Sequence, residues 1–464
     1  MASKIAAGSC AEGKMTRAVQ TTLTRTEGFP VPPAKSQPAS ETSTVAIRIV
    51  KYLVLAGMVS SWCAAVIVAQ TTDSVPPTAL VEPRGKPFVY YILHAMGIAS
   101  MLSAGALAAL KGGGKKLGSG TLLAFWVLVI TAVTWALIAY KLEDYLSWAA
   151  LGATGPFVWL SCVVLFAGME RSLWKPLEQV IRVLAYLTAV LALVSIVQNY
   201  HYLTERWLSA PVQYMVLLMW IGGWTFLTSR EASGWRMYLR YFPFVVFVLA
   251  AVTSQTRSWF LMSMFLIIAR FLINRSAGRS RAGVSPNVIA GTGIFISIAL
   301  LLALVFQGQL FDAYARFAHR AMDDSRTEQY VQFFSQKTFY DLILGGGPTA
   351  TWNFGWGEEY ENYQSFDNNY LWMAFLGGIP MMLSYTVIII IPGVRAALRG
   401  AKNNDAAAAT LLVLWGLACT GFSTYATPSL TPYSFFLCLL AGRCLIFIEE
   451  QRGTGHSQAR VSSR

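Results

Sequence analysis

The sequence predicts an all-α integral membrane protein of about 12 transmembrane helices, with one large periplasmic loop between the ninth and tenth spans. Three observations carry that expectation. Apolar runs of about 18 to 24 residues recur along the chain, each long enough to cross a hydrocarbon core of about 30 Å. Of the 464 residues, 55% are hydrophobic and only 13% are charged, where soluble domains carry about 25% charge. One stretch, 307–367, breaks the apolar pattern with charged, aromatic and glycine-rich sequence.

Taken in order, residues 1–45 hold Ser, Thr, Pro and a basic excess (Lys4, Lys14, Arg17, Arg25, Lys35). They are too polar for the core of a signal peptide and read as a disordered cytoplasmic tail. Spans one to nine fall within 46–306, at about 45–69, 88–110, 120–140, 146–169, 177–198, 211–228, 237–254, 258–273 and 287–306. Spans ten to twelve fall within 368–448, at about 368–391, 406–424 and 431–448, and 449–464 reads as a second cytoplasmic tail.

Lys and Arg set the expected orientation, because short cytoplasmic loops carry them in excess. With the N-terminus inside, the inner loops hold Lys111, Lys115 and Lys116, then Arg171 and Lys175, Arg230 and Arg236, Arg275, Arg279 and Arg281, and Arg395, Arg399 and Lys402. The short outer connections carry Glu143 and Asp144, or no charge at all at 425–431. A multi-pass membrane protein is expected, with both termini cytoplasmic and 307–367 outside, which is the periplasm if the host is a Gram-negative bacterium and the membrane its inner (cytoplasmic) one.

The same distribution argues against nucleic acid as a partner, although the formal net charge is +13. Cys10, Cys63, Cys162, Cys419, Cys438 and Cys444 form no C-x-x-C pair, and five of the six lie in or at apolar runs. They read as small buried hydrophobes. His94, His201, His319 and His456 are scattered without metal-ligand spacing. No metal and no cofactor is expected.

Polar chemistry therefore concentrates at the outer face. In the turn Thr253–Trp259, Arg257 lies on the side that topology disfavours for a cation. It reads either as an arginine reaching lipid head groups or as an anion contact, its guanidinium fork suiting two phosphate oxygens. Within the loop, Arg316, His319, Arg320 and Arg326 stand among Asp323, Asp324 and Glu328. Arg316 and Arg320 share a helical face, and a solvated, salt-bridged helix fits as well as a binding row.

The run Gly345-Gly346-Gly347-Pro348 lacks the Lys-Ser/Thr of a phosphate loop and reads first as a turn. Trp352 and Trp356, set among Glu358, Glu359, Tyr360 and Asn362, suit either sugar stacking or an interfacial aromatic belt. Asp367 and Asn368 precede the tenth span. Asp367 suits an N-cap, a general base or an anchor for an incoming hydroxyl.

The order of these motifs resembles the O-antigen ligase and Wzy-type polysaccharide polymerase family, integral membrane glycosyltransferases of the GT-C type. The resemblance rests on Ser254-x-Thr-Arg257, the loop's Ser325-Arg326, Leu344-Gly-Gly-Gly-Pro348, and Asp367-Asn-Asn-Tyr-Leu-x-x-x-Phe-Leu-Gly-Gly-Ile-Pro380. It covers about 253–382 and the twelve-span layout.

It implies a metal-independent transfer from an undecaprenyl-diphosphate-linked glycan donor. Arg257 and Arg326 would act on the diphosphate and Asp367 on the acceptor. Arg316 and Arg320 carry over more weakly, and by their own chemistry His319, Asn368, Trp352 and Trp356 join them as candidate substrate contacts. Where ligases of the family carry His-Asn, this chain carries Asp367-Asn368, so the resemblance points to polymerisation of exopolysaccharide or O-antigen repeats. Transfer to a lipid A-core acceptor and a lipid-linked oligosaccharide flippase are the alternatives. Membrane lipids, a chain-length regulator and export proteins are the other partners implied.

Overall fold

The computed structural model describes residues 41–71, 86–142, 156–199, 212–229, 235–253, 257–276, 325–347, 350–353, 366, 368–422 and 429–462. Among them there are helices and connections but no strand. The expected span at 287–306 and the loop residues Arg316, His319, Arg320, Trp356 and Asp367 lie outside the described residues.

The helices are α1 (Glu41–Thr71), α2 (Phe88–Ala108), α3 (Ser119–Leu142), α4 (Leu165–Gly168, after a 3-10 stretch Pro156–Val164) and α5 (Trp174–Gln198). They continue with α6 (Val212–Leu217), α7 (Gly223–Thr228), α8 (Trp235–Thr253), α9 (Arg257–Ser276), α10 (Ser325–Gln336) and α11 (Phe339–Leu344). The last are α12 (Asn369–Tyr385), α13 (Ile391–Leu398), α14 (Asn403–Leu417) and α15 (Pro432–Ser462). Short π-helical turns join α6 to α7 and α12 to α13 without a loop, and α12 itself is interrupted at Gly378.

Six of the described helical lengths are long and apolar enough to cross a membrane: Val45–Gln70, Phe88–Gly113, Ser119–Ile138, Arg171–Gln198, Asn369–Leu398 and Pro432–Arg452. Shorter apolar helices occupy Val158–Gly168, Val212–Thr228, Leu239–Thr253 and Ser258–Asn274. Large apolar side chains stay exposed in rows on α3 (Leu123, Trp126, Ile130, Val133, Leu137) and on α5 (Val183, Leu187, Val190, Val194, Val197). Rows of this kind on helices of this length are what lipid-facing surfaces carry. The chain is a helical membrane protein. The apolar length Pro432–Arg452 corresponds to the span expected at 431–448, and the helix that carries it continues to Ser462.

The bundle centre is aromatic and close-packed. Trp220 stands edge-on to Trp415 at 5.2 Å, and Trp159 meets Trp372 at 6.0 Å and Tyr385 at 5.8 Å. Gly168 and Gly442 let α4 and α15 touch backbone to backbone, since a Cβ on Gly442 would overlap the Leu165 carbonyl. Small residues at crossings are the usual device where lipid offers no hydrophobic drive to pair helices.

Charge closes one end of the bundle. Arg443, only 8% exposed, donates through Nε to Asp405 Oδ1 at 2.7 Å and through Nη1 to Glu178 Oε1 at 3.3 Å. Its guanidinium lies 4.6 Å from the Trp174 ring and 5.7 Å from the Trp224 ring. Arg171 bonds Asp405 Oδ1 at 2.8 Å and grips Glu450 with two hydrogen bonds, at 3.1 and 2.7 Å. Asn404 donates to Glu178 at 2.7 Å. The network ties α5, α14 and α15 together. Nearby, Arg270 of α9 donates to the Leu227 carbonyl at 2.5 Å and to that of Ser229, capping the C-terminal end of α7.

Arg443→Ala would leave Asp405 with Arg171 and Glu178 with Asn404 as partners, so the loss of its charged hydrogen bonds is expected to cost about 2–3 kcal/mol, measured by thermal unfolding in detergent micelles. Arg452→Ala breaks only the exposed pair with Glu449 at 3.2 Å, and its cost is expected to stay below about 1 kcal/mol.

Candidate functional site

The opposite end of the bundle holds the described part of the 307–367 segment. Tyr370 at the start of α12 donates to the Gly416 carbonyl at 2.9 Å, and Gly416 is the far end of the helix that begins beside Asp405. The start of α12 is thus a helix length away from the charged network. Arg257 belongs to this end as well. It opens α9, and Arg270 on the same helix reaches α7 at the network end, about 20 Å further along the axis. Arg257 and Asn368 therefore share one end of the bundle.

Asn368, rather than Asp367, fills the N-cap of α12. Its side-chain oxygen accepts from the backbone N–H of Tyr370 at 3.0 Å and of Leu371 at 3.1 Å. The N-cap reading made for Asp367 thus shifts by one residue, because the backbone turns helical at Asn369. The helix does not need the Asp367 carboxylate for capping. Asn369, the next residue, is fully buried.

An aromatic box fastens the described part of this segment to the helix. Trp352 stacks on Phe366 at 4.9 Å with rings 4° apart. Phe333 of α10 meets Phe366 edge-on at 4.6 Å, and Phe375 of α12 at 5.4 Å. Trp352, Phe333, Phe366 and Phe375 are all buried, so the structure gives Trp352 a packing position. Gln336 and Asn353 exchange a pair of hydrogen bonds, Nε2 to the Asn353 carbonyl at 2.5 Å and Asn353 N–H to Oε1 at 2.9 Å. Thr338 and Asp341 form a reciprocal cap at the start of α11. The Thr338 N–H, and then its hydroxyl, hold the Asp341 carboxyl below its usual range.

Below the box the glycine run meets a break in α12. Gly346 N–H donates to the Phe375 carbonyl at 2.7 Å, and Gly347 N–H donates to the Leu376 carbonyl at 2.9 Å. In an unbroken helix those carbonyls would pair with residues 379 and 380. Residue 380 is Pro and has no N–H, and Gly378 at φ 84 turns the chain out of helix. Gly345 (φ 79) and Gly347 (φ 85) adopt the mirror-image conformations that put their donors in place. A Cβ on Gly345 would overlap the Gly378 N–H, and one on Gly378 would overlap the Ile343 carbonyl. The run is structural here, a backbone plug for a broken helix.

Arg326 is the second residue of α10. It lies two turns before Phe333, in the same helical row by register. The box therefore carries the α10 row to Phe366, the neighbour of Asp367. Sequence reading overlooked Lys337, whose Nζ lies 5.5 Å from the Phe375 ring. It is a lone cation outside any motif, and only the fold sets it at this seam. A separate cavity of about 180 Å³, lined by Ile47, Val50, Lys111, Lys116 and Glu170 among others, opens at the Ser119 end of α3. It contains none of the candidate residues.

No family model, curated protein or solved structure matches the chain.

Gly345→Ala and Gly378→Ala are each expected to cost about 2 kcal/mol or more, from positive φ and overlap. Gly120→Ala, whose Cβ meets open space, is expected to be neutral or slightly stabilising. Proteolysis within 325–353 should quicken only in the first two variants.

Proposed function

We propose that the chain is an integral membrane glycosyltransferase. In this reading it polymerises undecaprenyl-diphosphate-linked oligosaccharide repeats on the periplasmic face of the inner membrane. Twelve spans with cytoplasmic termini belong to the same reading, with 287–306 as the ninth. The observation that supports it is that the described candidates lie at the same end of the bundle. Arg257 opens α9 there, Asn368 caps α12, and the Phe333–Phe366 contact leads the row of Arg326 to the residue before Asp367. The dense Lys and Arg of the other connections supports a cytoplasmic placement for the network end.

The chemistry assigned to these positions is a direct displacement. The acceptor hydroxyl oxygen attacks the anomeric carbon, and the carbon–oxygen bond to the diphosphate breaks with its electron pair leaving on the phosphate. The hydroxyl proton passes to Asp367. The sugar inverts. Charge builds on the departing diphosphate, and fixed guanidinium groups at Arg257 and Arg326 neutralise it in a site partly shielded from water, commonly the largest catalytic term. In this reading Arg316, His319 and Arg320 bind the donor, and Trp356 and the Asn368 amide bind the glycan. Trp352 contributes by seating the loop. The acceptor in this reading is the growing glycan.

Arg257→Ala and Arg326→Ala should each lower polymer yield about 100-fold or more at unchanged levels of folded protein. Single repeat units should accumulate on the outer leaflet. Lysine at either position should restore only part of the activity, since it lacks the two-pronged geometry. Near-normal chain length and yield in both alanine variants would overturn the assignment. Repeat units trapped on the inner leaflet would instead indicate a flippase.

A further inference from the structure

We infer that the segment from α10 to Gly347 is a re-entrant element in the loop-side leaflet, with one apolar flank of its two helices lying against lipid acyl chains. The inference rests on the membrane-spanning character of the helices and not on the glycosyltransferase reading.

Depth is the first ground. Gly345 packs on Gly378, and the rise from Asn369 to Gly378 is about 13 Å along the helix axis. Gly347 packs on the Trp135 ring of α3, and from there to the end of α3 at Leu142 the rise is about 10 Å. Two different helices thus place the glycine run at a similar depth, inside a leaflet whose hydrocarbon is about 15 Å thick. Irregular backbone survives at that depth only where protein groups satisfy it. The Phe375 and Leu376 carbonyls do so for Gly346 and Gly347.

The surface of the two helices is the second ground. α10 divides into three sectors about 120° apart on a 3.6-residue wheel. Gln329 and Phe333 face the protein and are buried. Val331 and Phe334 form one exposed flank, while Glu328 and Ser335 form the other, with the half-buried Gln332 between them. A helix standing in water needs only two sectors, core and polar. Three sectors fit a helix with protein on one side, hydrocarbon on the second and water on the third.

α11 repeats the arrangement, with Leu342 buried, Asp341 on the polar side, and Phe339, Tyr340 and Leu344 on the apolar side. These five large side chains are 54% to 75% exposed, an unusual density for 14 residues of a water-facing loop. The flank also continues a lipid-facing surface, because the Trp135 contact places it beside the exposed Val133, Leu137 and Tyr140 of α3. Acyl chains are the occupant that this continuity favours.

The test uses the full chain, with native cysteines replaced, in phosphatidylcholine vesicles. Single nitroxides are placed at Phe334→Cys, Phe339→Cys and Leu344→Cys on the apolar flank, and at Glu328→Cys and Ser335→Cys on the polar flank. Collision rates with oxygen, which partitions into lipid, and with a water-soluble nickel chelate are compared. The first three labels should meet oxygen several-fold more readily than nickel, and the last two should show the reverse. Free access of nickel to all five would place the segment in water and overturn the inference. Shielding of the first three from both reagents would overturn it in favour of a protein partner or a second copy. The unmodified chain provides a check free of cysteine substitutions. A lipid-dissolved diazirine should label peptides covering 331–344, and an absence of adducts there would equally count against the proposal.

Discussion

Two backbone carbonyls govern this end of the molecule. α12 breaks at Gly378, and Pro380 withholds the donor that the Leu376 carbonyl would otherwise use. Inside hydrocarbon no water replaces it. Gly346 and Gly347 supply the missing N–H groups, so the chain between α10 and α12 has to descend to that depth and return. The positive φ values at Gly345, Gly347 and Gly378, the packing of Phe333, Phe366 and Phe375 and the cap at Asn368 all serve that descent. Opening the seam would leave two carbonyls without partners at about 1–3 kcal/mol each.

The other end is held by a different force. Arg443, Arg171, Asp405, Glu178 and Glu450 satisfy one another between three helices, with two tryptophan faces on Arg443. Arg270 adds a cap drawn from a fourth. One end of the bundle thus depends on charge and the other on backbone hydrogen bonds and aromatic packing.

Much of the helical layout was legible because apolar length alone sets it. The run expected at 88–110 appears as Phe88–Gly113, 120–140 lies within Ser119–Leu142, and 211–228 corresponds to Val212–Thr228. Composition could not show where helices break or continue. The break in α12 requires a partner some thirty residues earlier in the chain, and no local pattern in Gly345-Gly346-Gly347 names Phe375 and Leu376 as that partner. Asp367 and Asn368 are both good N-caps by type, so only backbone geometry assigned the cap to Asn368. Trp352 read equally well as a sugar platform or belt residue, and its burial against Phe366 depends on contacts across the loop. Lys337 escaped notice for the same reason.

The polymerase reading is tested most directly by one assay. Purified protein is incubated with an undecaprenyl-diphosphate-linked repeat unit in the presence of a chelator, and the products are resolved by size. The reading predicts a ladder of lengthened glycans without added metal, with undecaprenyl diphosphate released in step. Transfer only after addition of a lipid A-core acceptor would contradict polymerisation and identify a ligase, and no transfer to either acceptor would contradict the glycosyltransferase reading as a whole.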